Sequence, residues 1–243
     1  MYNDMNESYN NDENKNVDGN KNGKKIYDMK FFIGFGAVIL CVVLIIVFSS
    51  KGSFGLLVSS DGDKFKSEYE KYNGKDDSEG KKYLDVTING AGKIKYSTED
   101  EIVDLFNNAG DAVIYFGYPT CGYCRTVAEV LCDTAKDTEL ETIYYLDTEN
   151  GVSGDFMQIL DDRFIINNDG DKRLVDPLVL FVTNGVVVSH NIGTLFSHED
   201  PSVAMDAAQI SGLEFIYEHG IQDVVDSLNI KKANLELSEE VIN

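Results

Sequence analysis

The stretch "AVIYFGYPTCGYCRTVAEVL", Ala112–Leu131, constrains this chain more than any other part of it. Six residues that suit a buried strand run through Gly117 to Pro119, and Cys121 and Cys124 follow directly. Beyond them Val127, Ala128, Leu131 and Ala135 recur at helical spacing, predicting a helix from Cys121 to about Lys136. A strand, a tight turn and a helix in that order place Cys121 at a helix start, beside unpaired N–H groups and the positive end of the helix dipole. A thiolate is stabilised there, so Cys121 is expected to ionise below the free-thiol value of ~8.5. Cys124 lies one turn later, within reach of the same sulfur.

Three chemistries suit such a pair. In thiol–disulfide exchange the first thiolate attacks a disulfide and the second resolves the mixed intermediate. A C-x-x-C is also half of a zinc site, but the second half is missing, and Cys132 and His190 do not stand at zinc-motif spacing. The third possibility is an inert structural pair. Exchange is the favoured reading, because the motif follows a strand and opens a helix. The other cysteines, Cys41 and Cys132, are too scattered for a disulfide framework, and Cys132, on the face of Ala128 and Leu131, is read as core packing. His190, His198 and His219 have neither metal nor triad spacing.

The surrounding pattern is α/β. "YLDVTI" and "KIKYS" read as short strands, and "STEDEIVDLFNNAG" as a helix with a Thr98/Glu101 capping box and Gly110 as its C-cap. "TIYYLD" is a strand and "SGDFMQILDDRF" a helix. "PLVLFV" and "VVVSHNI" flank Asn184-Gly185 as a hairpin with a type I′ turn. A last helical region covers Pro201 to Leu228, with Gly212 or Gly220 as a break. This order implies a mixed central sheet flanked by helices.

Ahead of that domain, Phe31–Phe48 is uncharged and almost wholly apolar. Extended to Ser50 it reaches the ~20 residues a helix needs to cross a ~30 Å hydrocarbon core. The long leader and the missing cleavage site favour an uncleaved transmembrane helix, residues 31–50, over a signal peptide. Residues 1–30 are polar and read as a disordered leader. Lys15, Lys21, Lys24, Lys25 and Lys30 precede the span, which favours a cytoplasmic N-terminus and an extracytoplasmic domain. Residues 51–82 read as a spacer, 83–231 as the folded domain and 232–243 as a tail. The formal net charge of -21, from 42 acidic against 21 basic side chains, argues against nucleic acid as a partner. It is read mainly as a solvated surface, with a basic partner as the alternative.

Together "AVIYFGYPTCGYC", "YYLD", "LVDPLVLFVTNGVVV" and "NIGT" resemble the thioredoxin superfamily over about Lys93 to Leu228. The resemblance implies a thioredoxin-like fold, Cys121 as nucleophile, Cys124 as resolving thiol, and Pro177 as a cis-proline opposite them. It implies that Pro177 and its neighbours hold an extended segment of a cysteine-containing protein substrate, that Gly193 leaves room for that segment, and that a redox partner recycles the dithiol. No organic cofactor or metal is implied. Two departures stand out. The family often buries a carboxylate six residues before the first cysteine, where this chain has Tyr115; the residue before the cis-proline is usually uncharged, where this chain has Asp176. Asp176 either partly replaces the missing carboxylate, raising the Cys121 pKa and assisting proton transfer, or points into solvent. Tyr123 is a substrate contact or a solvent-facing turn residue. Arg125 favours a thiolate at Cys121 or, the favoured reading, is a surface charge on the first helical turn. The insert between Asp147 and Pro177, including the polar loop Asn167 to Arg173, is a place for partner choice. The expected function is a membrane-tethered thiol–disulfide oxidoreductase; the alternative is a binding or accessory module, for example in peptide or bacteriocin export, with incidental redox activity.

Overall fold

A computed structural model describes residues 60–163 and 174–242. The expected leader, the span at residues 31–50 and the polar loop at 167–173 lie outside the described residues. Among the described residues, no helix is long and apolar enough to cross a membrane.

The elements in chain order are α1 (Asp61–Glu70), β1 (Ile94–Tyr96), α2 (Glu99–Asn107), β2 (Ala112–Gly117), α3 (Gly122–Ala135), β3 (Ile143–Asp147), α4 (Gly154–Arg163), β4 (Leu178–Thr183), β5 (Val186–Ile192) and α5 (Ala207–Ile242). The five strands form one sheet in the order β1-β3-β2-β4-β5. The pairs β1–β3 and β2–β3 are parallel, whereas β2–β4 and β4–β5 are antiparallel. β2 is therefore central, and every one of its residues is buried. Its side chains alternate between two cores. Val113 and Tyr115 face a core built with residues of α1, α3 and α5; Ile114 and Phe116 face one built with α2 and α4. This is the thioredoxin-like α/β architecture that the resemblance implies.

Local chemistry sets the boundaries. α2 opens on the expected box, in which Glu101 N donates to Thr98 Oγ1 at 3.2 Å and Thr98 N to Glu101 Oε2 at 2.9 Å. Its C-cap stands two residues earlier than expected. Asn108 is the C-cap, Ala109 takes the left-handed conformation, and Gly110 N closes the turn on the Leu105 carbonyl at 2.8 Å. Asn184 and Gly185 both have positive φ (52° and 72°), the conformation a type I′ turn requires.

Four expectations need correction. Residues 51–82 are not simply a spacer. Ser60 and Asp63 form a capping box for α1, and Phe65 and Tyr69, one turn apart, are fully buried in the core with α3 and α5. "YLDVTI" is not a strand, because its backbone donors at Val86, Thr87 and Ile88 go to side chains instead of a sheet neighbour. Val86 N bonds Asn73 Oδ1 at 3.0 Å, Thr87 N bonds Glu129 Oε1 at 2.9 Å, and Ile88 N bonds Glu70 Oε1 at 2.8 Å. The last helix starts at Ala207, not Pro201, where Asp206 and Gln209 bond reciprocally at 2.8 and 2.9 Å. It then runs unbroken through both glycines and through the expected tail to Ile242. The glycines serve packing: a Cβ on Gly220 would stand 2.4 Å from the Phe181 ring, and one on Gly212 would stand 2.7 Å from Leu195 Cδ1.

Candidate functional site

At the C-terminal end of β2 the chain turns through Tyr118, Pro119 and Thr120, and Cys121 N donates to the Tyr118 carbonyl at 3.2 Å. Cys121 is the N-cap of α3. Its Sγ accepts from Cys124 N at 3.2 Å and its carbonyl from Arg125 N at 3.2 Å. Cys121 and Cys124 form a disulfide with Cα atoms 5.1 Å apart. The two cysteines differ in access, since Cys124 is fully buried and Cys121 only partly so.

The Phe116↔Leu178 register brings the start of β4 alongside the end of β2, just before the cysteine turn. The Asp176–Pro177 peptide is cis. Gly193 N donates to the Pro177 carbonyl at 2.8 Å, and Gly193 takes φ 71° with open space where a Cβ would point. The backbone conformation, rather than crowding, is what asks for glycine there. Asp176 is half-buried, and Thr148 Oγ1 donates to its carboxylate at 2.9 Å. Burial pushes the Asp176 carboxyl up to about 6; the Thr148 bond opposes that shift and the Asp147 charge adds to it. It also contributes, behind burial, to raising Tyr118. Asp176 is thus held against the protein beside the cysteine turn, rather than turned into solvent.

Beneath Cys124, Tyr115 occupies the place where the resemblance leads one to look for a carboxylate. Its hydroxyl donates to the Cys124 carbonyl at 3.0 Å and stands 2.9 Å from the Tyr69 hydroxyl. Burial holds both phenols well above their usual range, so they are neutral hydrogen-bonding groups that cannot supply an acidic proton near neutral pH. Tyr145 joins them, stacked on Tyr115 with centroids 5.4 Å apart and donating to the Gly117 carbonyl at 3.0 Å.

Tyr123 does not stand free in solvent. Its hydroxyl donates to the Glu199 carbonyl at 2.6 Å, and its ring meets His198 edge-on at 5.7 Å. His198 is buried, with Nδ1 2.9 Å from Thr194 Oγ1 and Nε2 2.8 Å from the Val203 carbonyl. The carbonyl can only accept, so Nε2 carries a proton. The segment between β5 and α5 therefore lies along the cysteine helix. A Cβ on Gly122 would come within 2.8 Å of Pro201, and Lys81 bridges Asp200 at 2.8 Å. Sequence reasoning missed this segment, since no local pattern announces a contact between residues about 80 apart.

Arg125 overturns the surface reading: it is 0 % exposed. From the first turn of α3 its side chain reaches the end of α1 and the Asn73–Leu84 stretch, where backbone carbonyls and the Asn73 side chain receive it. Cys132 is a free thiol buried in the core, and burial pushes it up to about 12. Among the described residues no group of His, Cys, Asp or Glu is arranged to hold a metal.

No family model matches the chain, and no curated protein does. Solved structures similar to it include oxidised thioredoxin O2 from Arabidopsis thaliana, at 18% identity, covering 52% of this chain and 96% of that one, with a TM-score of 0.33. Thioredoxin from Trypanosoma brucei brucei is similar at 15% identity, covering 60% and 95%, with a TM-score of 0.33. Thioredoxin from Aeropyrum pernix is similar at 17% identity, covering 41% and 74%, with a TM-score of 0.30. The assignment of the fold rests on this chain's own sheet order and on where its cysteines fall.

Proposed function

We propose that this thioredoxin-like domain is a thiol–disulfide oxidoreductase acting on cysteine-containing proteins. The observation that carries the reading is the unequal pair: a partly exposed cysteine at a helix N-cap, disulfide-bonded to a fully buried one a turn later. In the reducing direction the Cys121 thiolate attacks one sulfur of a substrate disulfide, and the substrate's other sulfur leaves as a thiolate. Cys124 then loses its proton and attacks Cys121. The second substrate thiolate departs, and the Cys121–Cys124 disulfide remains. Two electrons pass from the dithiol to the substrate, and the oxidising direction is the same sequence reversed.

Pro177, Gly193 and Tyr123 border the approach to Cys121, with the Asp176 backbone ahead of the cis-proline offered to an extended substrate segment and Gly193 leaving room for it. Asp176 takes over part of the role of the absent buried carboxylate. A carboxyl that titrates at about 6 can accept and return a proton near neutral pH, and its charge opposes that of a thiolate nearby. The apolar run Phe31–Phe48 supports a single membrane span that tethers the domain outside the cytoplasm.

The test is covalent trapping in the full-length chain. A Cys124→Ala variant lacks the resolving thiol and is expected to accumulate mixed disulfides through Cys121, whereas a Cys121→Ala variant accumulates none. Partner binding that persists without any adduct would favour an accessory module instead.

A further inference from the structure

Arg125 brings a buried charge among neutral hydrogen-bond partners. Its Nη1 donates to the carbonyls of Tyr69 at 2.6 Å and Pro119 at 3.2 Å, its Nε to the Leu84 carbonyl at 2.8 Å, and its Nη2 to Asn73 Oδ1 at 2.6 Å. The face of Tyr83 lies 5.6 Å from the guanidinium carbon. Every one of these partners is neutral. Among the described residues Arg125 makes no ion pair; the carboxylate one turn along, Glu129, accepts instead from Thr87 N. Burial works against this charge more than the nearby Asp85 and Glu129 carboxylates favour it, and neither pairs with it directly. The position compounds the cost, because a cation in the first turn of a helix adds to the positive end of the dipole. Both penalties shrink if an anion forms at the helix start, and the group placed there is Cys121.

We infer that Arg125 is a positioning residue that holds Cys121 as a thiolate in the reduced protein, and that the segment from α1 to Leu84 is a working part of the redox centre because it locks the guanidinium against the cysteine turn. The Pro119 carbonyl, which Arg125 grips, is two residues from Cys121, and the Tyr69 carbonyl and Asn73 belong to the end of α1 and the turn after it. Other charges act on the same sulfur. Asp176 beside Tyr118 and Glu149, which accepts from Thr120 Oγ1 at 2.8 Å, oppose a thiolate. Tyr83 and Tyr118, both raised by burial, are neutral near pH 7, His198 stands behind the Tyr123 ring, and the Lys81–Asp200 pair is exposed to solvent and internally balanced. Arg125 is the fully buried charge in this set and so the one least screened by water and salt. This inference rests on the oxidoreductase reading and adds to it the group that ionises the nucleophile.

The experiment titrates Cys121 in the reduced full-length chain by its alkylation rate across pH, in the wild type and in Arg125→Gln, Arg125→Lys and Asn73→Ala. The wild-type thiol is expected to titrate below ~8.5, and Arg125→Gln to raise that value by about one unit, a roughly tenfold loss of thiolate on the acid side. Arg125→Lys, which keeps the charge, recovers most of the ionisation. Asn73→Ala, which frees one arm of the guanidinium, gives a smaller rise in the same direction. A purely structural pin would not sort the variants by charge. Identical titrations in the wild type and Arg125→Gln overturn the proposal. So does a wild-type Cys121 at or above the free-thiol value, which needs no variant, and if Arg125→Gln does not fold, an unshifted Asn73→Ala does the same. Turnover of a small disulfide separates the two claims. If the wild type exchanges none, the oxidoreductase reading fails; if exchange persists and the titration does not move, only the role of Arg125 fails.

Discussion

Replacing Phe65 by alanine separates a helix that belongs to the core from one that merely leads to it. Phe65 is fully buried, and its ring centroid lies 4.4 Å from that of Tyr69, 4.8 Å from Tyr145 and 6.2 Å from Tyr115. The ring therefore fills the space between α1 and the two central strands, directly below the cysteine turn. Truncating a buried phenylalanine to alanine costs about 3–5 kcal/mol, because the lost transfer energy is joined by a cavity that neighbours fill only in part. At about 2–4 °C per kcal/mol for a domain of this size, Phe65→Ala should lower Tm by roughly 6–20 °C. The assay is urea and thermal unfolding of the oxidised full-length chain, with Ser67→Ala as the control. Ser67 lies two residues away on the exposed face of α1 and should change stability by no more than ~0.5 kcal/mol. A Phe65→Ala loss below ~1 kcal/mol, indistinguishable from the control, would refute the placement of α1 in the core and with it the anchoring of Arg125.

Three further outcomes follow from single sites. Gly220→Ala should destabilise by about 1–3 kcal/mol or more, since the new Cβ would meet the Phe181 ring at 2.4 Å; an unchanged urea midpoint would contradict that packing. Asp176 binds a proton more tightly folded than unfolded, so its contribution to stability is full below 3.8 and is lost as pH rises through about 6. Asp176→Asn should therefore flatten the stability profile across that window, and in reduced protein it should lower the Cys121 pKa; parallel profiles for variant and wild type would remove both roles. Cys132, buried and pushed up to about 12, should resist alkylation at neutral pH in the reduced protein while Cys121 reacts, and should label only with unfolding, as peptide mapping over a urea series would show.

What could be read in advance depended on how local the physics was. The strand–turn–helix around Cys121, the Thr98/Glu101 box and the Asn184-Gly185 hairpin are each decided within a few residues, and each stands where its pattern put it. α1 is illegible because only Gly62, Phe65 and Tyr69 are buried, in a run otherwise charged or polar that reads like a linker. "YLDVTI" alternates like a strand, yet alternation records only which side chains are buried. Whether a sheet neighbour or the side chains of Glu70, Asn73 and Glu129 will satisfy the backbone is a long-range matter. Arg125 was misjudged for the same reason, since a charged residue is normally exposed and the carbonyls that receive it come from up to 56 positions away.

These misreadings converge on one place. α1, the stretch to Leu84 and Arg125 are three views of one contact, in which an N-terminal segment that looks like a tether closes over the start of the cysteine helix. Beneath the resolving cysteine there is a tyrosine pair where a carboxylate would store a proton, so the dithiol has no acid directly under it. On the roles proposed above for Arg125 and Asp176, its ionisation is set from the sides, by a fully buried cation and a half-exposed carboxylate. The cation is constant over the working pH range, whereas the Asp176 charge fades below about 6. Mild acidification should thus strengthen the thiolate-favouring side even as proton concentration works against it. The alkylation profile of wild-type Cys121 should accordingly be shallower between about pH 5 and 7 than a single-group titration, and Asp176→Asn should restore the simple curve. A wild-type profile that fits one group throughout would mean that Asp176 and Cys121 do not sense each other.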